Sequence, residues 1–359
     1  MNNNLRLIVM ENIKDLGSKV ESHLQKMLNT SENLIVPIDE VRFNNGEGKI
    51  VLKESIRKRD VFILTDPMNH SITYKMYDYY NHKSPDDHFV DVIRTLCAIR
   101  KQAVSTSLVM PFLYASRQHK REGRESLDCA ISLQEYIHQG VKNIITFDVH
   151  DSNVQNAIPS SSFDNFYPTN ILLEKFVTTE DVKNENLLAV SPDNGALKRT
   201  RFYANMLGCE LGGHFEKHRD LYKVVDGKNP ILEHEYIGKP VLNKDIIIVD
   251  DMIASGESML DVARELKKRG ANRIYLFSSY AMFTKGVEVF NKAHEEGLFT
   301  KLFATNLSYI PDEAKKQEWI EIADCAEYLA KIIYTFHIGG SVSPILEARS
   351  KVLEEFAKN

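Results

Sequence analysis

Short apolar runs alternate with amphipathic stretches along the whole chain. Residues 61–65 (VFILT), 108–113 (LVMPFL), 144–147 (IITF), 187–190 (LLAV), 246–249 (IIIV) and 273–277 (RIYLF) are apolar with little polar alternation. Runs of this kind predict strands buried on both faces. Between them, residues 87–102 bring Phe89, Val90, Ile93, Leu96 and Cys97 to one side, with Asp86 or Asp87 as the N-cap. Residues 258–269 do the same with Met259, Val262, Ala263 and Leu266. That stretch carries Lys267, Lys268 and Arg269 in its last turn and stops at Gly270, as the helix dipole and C-capping favour. Strand–helix–strand repetition predicts parallel sheets of the α/β class. A break at residues 159–164 (PSSSFD) splits the pattern into two doubly wound α/β domains, 1–164 and 165–325. An amphipathic helical tail follows over 326–359.

Composition adds bounds. The chain has 359 residues, 43% hydrophobic and 26% charged, enough apolar material for two cores. A net charge of −5 argues against nucleic acid or an anionic membrane as a partner of the whole surface. Any anionic ligand must then meet a local cationic cluster or backbone donors. The cysteines Cys97, Cys129, Cys209 and Cys325 form no CxxC pair, which fits a reducing compartment. The first residues, MNNNLRLIVMENIKD, do not read as a secretory leader, and no run of about twenty apolar residues is present to span a bilayer. A cytoplasmic location is expected.

The chemistry concentrates at 245–260, DIIIVDDMIASGESML. An apolar strand delivers Asp250 and Asp251 at its carboxyl end, and a short loop with Ser255, Gly256 and Ser258 opens into a helix. Ligands of open α/β sheets bind outside the carboxyl ends of strands. The free N–H groups and positive end of a helix suit a phosphate monoester, and Gly256 lets the backbone approach it. The two acids then lie where sugar hydroxyls would sit. Read as a strand end and a helix cap alone, two desolvated carboxylates would go unexplained.

This strand, acid pair, loop and helix resemble the ribose-phosphate motif of the phosphoribosyltransferase fold. Four further segments, RFNNGE (42–47), ASRQHK (115–120), TFDVHD (146–151) and SPDNGALKR (191–199), narrow the resemblance to the ribose-phosphate pyrophosphokinase family, over roughly residues 5–310. The resemblance implies two phosphoribosyltransferase-type domains, with ribose 5-phosphate at Asp250, Asp251, Ser255, Gly256 and Ser258. It implies ATP at Phe43, Asn45, Glu47, Arg117, Gln118 and His150. Phe43 would stack on the adenine while Asn45 and Glu47 read its polar edge, across a subunit boundary. The run at 119–124 (HKREGR) would cover phosphates. Mg2+ is implied at His150 and Asp193, with Asp148 a plausible second acid, although a histidine is an atypical ligand for this ion. Lys217 and Arg219, in HFEKHRD, match a catalytic K-x-R pair on a mobile loop that neutralises charge as diphosphoryl transfers. The implied reaction turns ATP and ribose 5-phosphate into phosphoribosyl diphosphate and AMP, in homo-oligomers of dimers built up to hexamers.

The chain departs from the family pattern at Ala254 and Glu257 in the ribose-phosphate loop, at Ala196 in SPDNGALKR and over residues 220–243. Glu257 brings negative charge near a phosphate seat, unfavourable unless it points away or is paired. Two rival readings are a phosphoribosyltransferase that consumes phosphoribosyl diphosphate, and a catalytically silent regulatory paralogue. The first has no need of RFNNGE or the K-x-R pair. The second should have lost His150, Lys217 or Arg219, all of which are present.

Overall fold

Each apolar run becomes a strand whose side chains alternate between two covered faces. The computed structural model describes residues 4–219 and 231–346. In chain order come β1 (Leu5–Val9), α1 (Lys14–Met27), β2 (Ile38–Arg42), β3 (Gly48–Leu52), β4 (Asp60–Leu64), β5 (Thr73–Met76) and β6 (Tyr79–His82). Next are α2 (Pro85–Ile99), β7 (Ser105–Val109), α3 (Asp128–His138), β8 (Asn143–Phe147) and β9 (Ser162–Phe166). They are followed by α4 (Thr169–Thr179), β10 (Leu187–Ser191), α5 (Leu197–Leu207), β11 (Glu210–Arg219), β12 (Ile231–Gly238), β13 (Asp245–Ile253) and α6 (Glu257–Lys268). The last are β14 (Ile274–Ala281), α7 (Glu288–Glu295), β15 (Lys301–Thr305), α8 (Asp312–Lys315), β16 (Ile320–Ala323), α9 (Ala326–His337) and α10 (Ser343–Leu346).

The chain divides into two units. The first takes Met1–Tyr167, Asn306–Tyr309 and Asp324–Leu346; the second takes Pro168–Thr305 and Ile310–Ala323. In the first, a five-stranded sheet runs β1-β4-β7-β8-β9 with every pair parallel. One face of it, with Ile8, Ile63, Leu108 and Ile144, packs on Val92 and Leu96 of α2 and on Leu133 and Tyr136 of α3. Within the described residues, α9 packs beside α1 and counts with the first unit. Two antiparallel hairpins, β2–β3 and β5–β6, also belong to this unit.

The second unit carries a seven-stranded sheet, β12-β11-β10-β13-β14-β15-β16, parallel except for β11–β12. Ile246, Ile248 and Leu276 bury one face against Met259, Val262 and Leu266 of α6. Ile247, Val249 and Phe277 bury the other against Phe176 of α4 and Tyr203 of α5. From β10 the chain passes through α5 to β11 on one side, while β13 pairs on the other. That divergence is a topological switch point, the place where ligands of open α/β sheets bind, at the carboxyl ends of β10 and β13.

Local expectations shift in three places. The run LVMPFL is a strand only to Val109, because Pro111 has no N–H for the ladder. The N-cap of α2 is Ser84, not Asp86 or Asp87; Ser84 and Asp87 form a capping box with Pro85 at the first helical position. The buried face of α2 is also rotated: His88, Asp91, Val92, Thr95, Leu96 and Ile99 are buried, whereas Val90 and Cys97 are exposed. Polar residues turn inward there because partners await them, Asn12 beside His88 at 3.0 Å and Arg42 on Asp91 at 2.9 Å.

Candidate functional site

The acid pair lies inside β13 rather than at its end, since the strand continues to Ile253 alongside β14. It is open on its other edge because β10 pairs only as far as Val190 with Ile248. The Asp250 side chain accepts the Asp251 N–H at 2.9 Å, and the Asp251 side chain accepts the Met252 N–H at 2.8 Å. Burial holds the Asp250 carboxyl well above the ordinary carboxylate range; the Asp251 and Asp193 charges push the same way and Arg199 opposes them. Asp193 therefore belongs to the same electrostatic neighbourhood, on the loop after β10, where it accepts the Ala196 N–H at 3.0 Å. A ligand that brings hydroxyl donors or a cation to these acids would relieve the repulsion.

Past Ile253, the loop reaches α6 through Gly256, whose φ of +82° suits glycine and which is the N-cap of that helix. A Cβ there would lie 2.1 Å from the Phe290 ring. No side chain caps α6, and a helix start of this kind is suited to an anion. Ser255 is half-buried and Ser258 exposed. Glu257 is paired with Lys285 at 2.8 Å, which answers its charge.

In the first unit, β2 and β3 are joined by a tight turn over residues 43–47. The Phe43 N–H donates to the Glu47 carbonyl and the Gly46 N–H to the Phe43 carbonyl, both at 2.8 Å. Asn45 Nδ2 donates to the Glu47 carboxylate at 2.8 Å, and Asn45 Oδ1 accepts the Glu47 N–H at 3.1 Å. Phe43 is 46% exposed, so it is not a core phenylalanine. An exposed aromatic ring beside an amide and a carboxylate forms a surface able to receive a base.

A second group follows β7 and β8. Arg117 is exposed, and Gln118 Nε2 donates to the Ser126 carbonyl at 3.0 Å. Asp148 is buried with φ +39°, its N–H donating to the Phe166 carbonyl at 2.8 Å. His150 is exposed. Its ring meets that of His119 edge-on at 5.4 Å, and His119 Nε2 lies 3.4 Å from Asp151. His119 belongs to ASRQHK and to the cationic run 119–124, but nothing in the sequence pairs it with His150. Arg199 and Lys285 were likewise not anticipated.

Lys217 and Arg219 do not sit on a loop. They occupy the outer end of β11, where Lys217 pairs with His234 and Arg219 with Ile231 of β12. Their side chains lie outside the described residues. Among the described residues, no group of three or more His, Cys, Asp or Glu side chains is gathered to hold a metal ion. His150 and Asp148 belong to the first unit and Asp193 to the second.

Residues 5–140 match the protein family described as the N-terminal domain of ribose phosphate pyrophosphokinase, and residues 171–294 match the phosphoribosyl transferase domain. The chain belongs to the ribose-phosphate pyrophosphokinase family. A ribose-phosphate pyrophosphokinase of Prochlorococcus marinus subsp. pastoris is 27% identical over 95% of this chain and 93% of its own length. One from Mycoplasma genitalium is 27% identical over 90% of this chain and 89% of its own. Identities of this size make the chain a divergent member. The crystal structure of phosphoribosylpyrophosphate synthetase from Mycobacterium smegmatis has the same fold, with a TM-score of 0.75 and 20% identity over 94% of this chain and 100% of that one.

Proposed function

We propose that the chain is a ribose-phosphate diphosphokinase that supplies phosphoribosyl diphosphate for nucleotide biosynthesis. The anomeric hydroxyl of ribose 5-phosphate attacks the β-phosphorus of ATP and loses its proton. The bond between the β-phosphorus and the oxygen it shares with the α-phosphorus breaks, AMP leaves with that bond's electron pair, and the hydroxyl's proton passes to water. The observation that carries this reading is the match of residues 5–140 to the N-terminal domain of this kinase family. The strand, acid pair and helix of the second unit would serve any phosphoribosyltransferase; the first unit would not.

Each unit takes one part of the work. In the second, the start of α6, with Ser255, Gly256 and Ser258, holds the 5-phosphate, while Asp250 and Asp251 accept hydroxyls of the ribose. In the first, Phe43 stacks on adenine and Asn45 and Glu47 read its edge, with Arg117 and Gln118 on the nucleotide beside His150. Lys217 and Arg219 neutralise the charge spread over the transferring group. Acceleration comes from positioning and charge, with no protein nucleophile.

The metal is proposed to be Mg2+, near His150 and Asp193, with Asp148 as a further acid. The reading asks for no all-protein cage, because Mg2+ is commonly held by one or two carboxylates together with substrate phosphates and water. When bound it supplies positive charge to the phosphates. Cytoplasmic homo-oligomers, dimers assembling to hexamers, complete the reading.

The test is AMP release from ATP and Mg2+, with and without ribose 5-phosphate, on the wild type and on Lys217→Ala. Release that depends on ribose 5-phosphate and collapses in the variant supports diphosphoryl transfer with Lys217 in it. Folded wild type that releases no AMP would favour the silent paralogue.

A further inference from the structure

We propose that Arg42 is a positioning residue for ATP, holding the base-reading turn from behind through a buried ionic clamp; this rests on the reading of residues 43–47 as the base contact. Arg42 is the last residue of β2, and its side chain is only 10% exposed. Its guanidinium donates to the Gly46 carbonyl inside the turn at 3.2 Å. It also reaches Asp87 at 3.2 Å and Asp91 at 2.9 Å, both on α2. The plane lies over the Tyr74 ring, 4.8 Å from its centroid. One fork of donors thus ties the turn to α2, and only a planar guanidinium can serve these partners together.

Other groups brace the same assembly. Lys83 joins Glu40 of β2 at 2.9 Å to Asp91 at 3.0 Å, and Arg94 adds 2.7 Å to Asp91. Burial opposes charge on both Lys83 and Asp91, yet Glu40 and Asp91 hold Lys83 above its ordinary value, and Lys83, Arg94 and Arg42 hold Asp91 below. The β5–β6 hairpin closes the other side, where the Tyr77 N–H donates to the Asn44 carbonyl at 2.7 Å. Gly46, at φ +91°, leaves room for Met76, whose sulfur would lie 2.6 Å from an added Cβ. The turn is therefore gripped at both Asn44 and Gly46, while Phe43 stays exposed.

Three cations and three carboxylates, most of them nearly out of water, are costly equipment for a small hairpin. Hydrophobic residues would hold two strands together as well. What the ionic clamp adds is a fixed direction for the turn. A base stacking on a preset ring gives up less binding energy to ordering the protein.

The experiment measures KM for ATP, KM for ribose 5-phosphate, kcat and thermal midpoint on the full chain, for Phe43→Ala, Arg42→Met, Arg42→Lys and the double variant Phe43→Ala/Arg42→Met. Arg42→Met should raise KM for ATP about tenfold, the scale of one lost charge-assisted hydrogen bond. The KM for ribose 5-phosphate and kcat should stay within about twofold, and Arg42→Lys should recover part of the loss. In the Phe43→Ala background the Arg42 change should add little, because it acts through the ring. A lowered midpoint with KM for ATP unchanged would make Arg42 merely structural and overturn the proposal, as would fully additive losses. If Phe43→Ala itself leaves KM for ATP unchanged, the base reading fails first and the clamp falls with it. If Phe43→Ala acts and folded Arg42 variants do not, the clamp alone is wrong. Should Arg42→Met not fold, Arg42→Lys decides, with about threefold on KM for ATP expected and no change contradicting.

Discussion

The loop between β13 and α6, proposed to hold ribose phosphate, and the turn between β2 and β3, proposed to read the base, are built in opposite ways. The first is mostly backbone: a strand inside a seven-stranded sheet, a glycine at φ +82° and a helix start without a side-chain cap. Its shape follows from local sequence and the switch point of the sheet. The second hangs outside the five-stranded sheet and is fixed by side chains from α2 and the β5–β6 hairpin, tens of residues away. Backbone-built sites tolerate divergence at flanking positions, as Ala254 and the Lys285-paired Glu257 illustrate. Side-chain-built sites depend on charges that must all remain.

The strongest way to break this comparison is Asp250→Asn. It removes a carboxylate proposed to face the sugar, and kcat/KM for ribose 5-phosphate should fall about 100-fold, with KM for ATP unmoved. Steady-state kinetics with each substrate varied would check it; an equal loss toward ATP would contradict the separation of roles.

The second prediction concerns the buried polar chemistry of the first unit. Asp66 accepts hydrogen bonds from Ser308 and from the Tyr309 N–H at 2.7 Å, tying the Asn306–Tyr309 segment down. Burial pushes its carboxyl up to about 6, with the hydrogen bonds from Tyr309, Met68 and Ser308 resisting. A carboxyl raised on folding binds its proton more tightly in the native state. Stability should therefore fall as pH rises from about 4 to about 6, by ~3 kcal/mol at most, and stay level above. Denaturant melts of Asp66→Asn should lose that component; an unchanged pH profile would show that Asp66 does not set it.

Next in size, Phe43→Ala should raise KM for ATP about tenfold through the lost stacking area, with ribose 5-phosphate unaffected. The smallest effect sharpens the backbone side. Glu257→Gln should change KM for ribose 5-phosphate by about twofold or less, because Lys285 already answers its charge on an exposed surface. A tenfold gain in affinity would mean that Glu257 still repels the phosphate.

The contrast also explains what the sequence could tell. The apolar run IIIV, the acids after it, Gly256 and the helical pattern of α6 are contiguous, so fold and seat were readable together. The runs at β4, β8 and β10 were readable for the same reason. The hairpins were not: IDEVR, TYKM and YYNH are short and mixed, and their pairing depends on partners elsewhere. The face of α2 was misjudged because His88 and Asp91 look like surface residues until Asn12, Arg42 and Lys83 are brought to them. Lys217 and Arg219 read as loop because HFEKHRD has no apolar run, yet β11 gains its ladder from β12. The motif RFNNGE named the turn and left its support in α2 unseen.

The most direct test of the account follows ATP and ribose 5-phosphate by phosphorus magnetic resonance with the folded protein and Mg2+ present. AMP and a diphosphate bonded to the ribose C1 oxygen should grow together as ATP disappears. Formation of ADP with a ribose bisphosphate, or no change in the spectrum, would contradict diphosphoryl transfer.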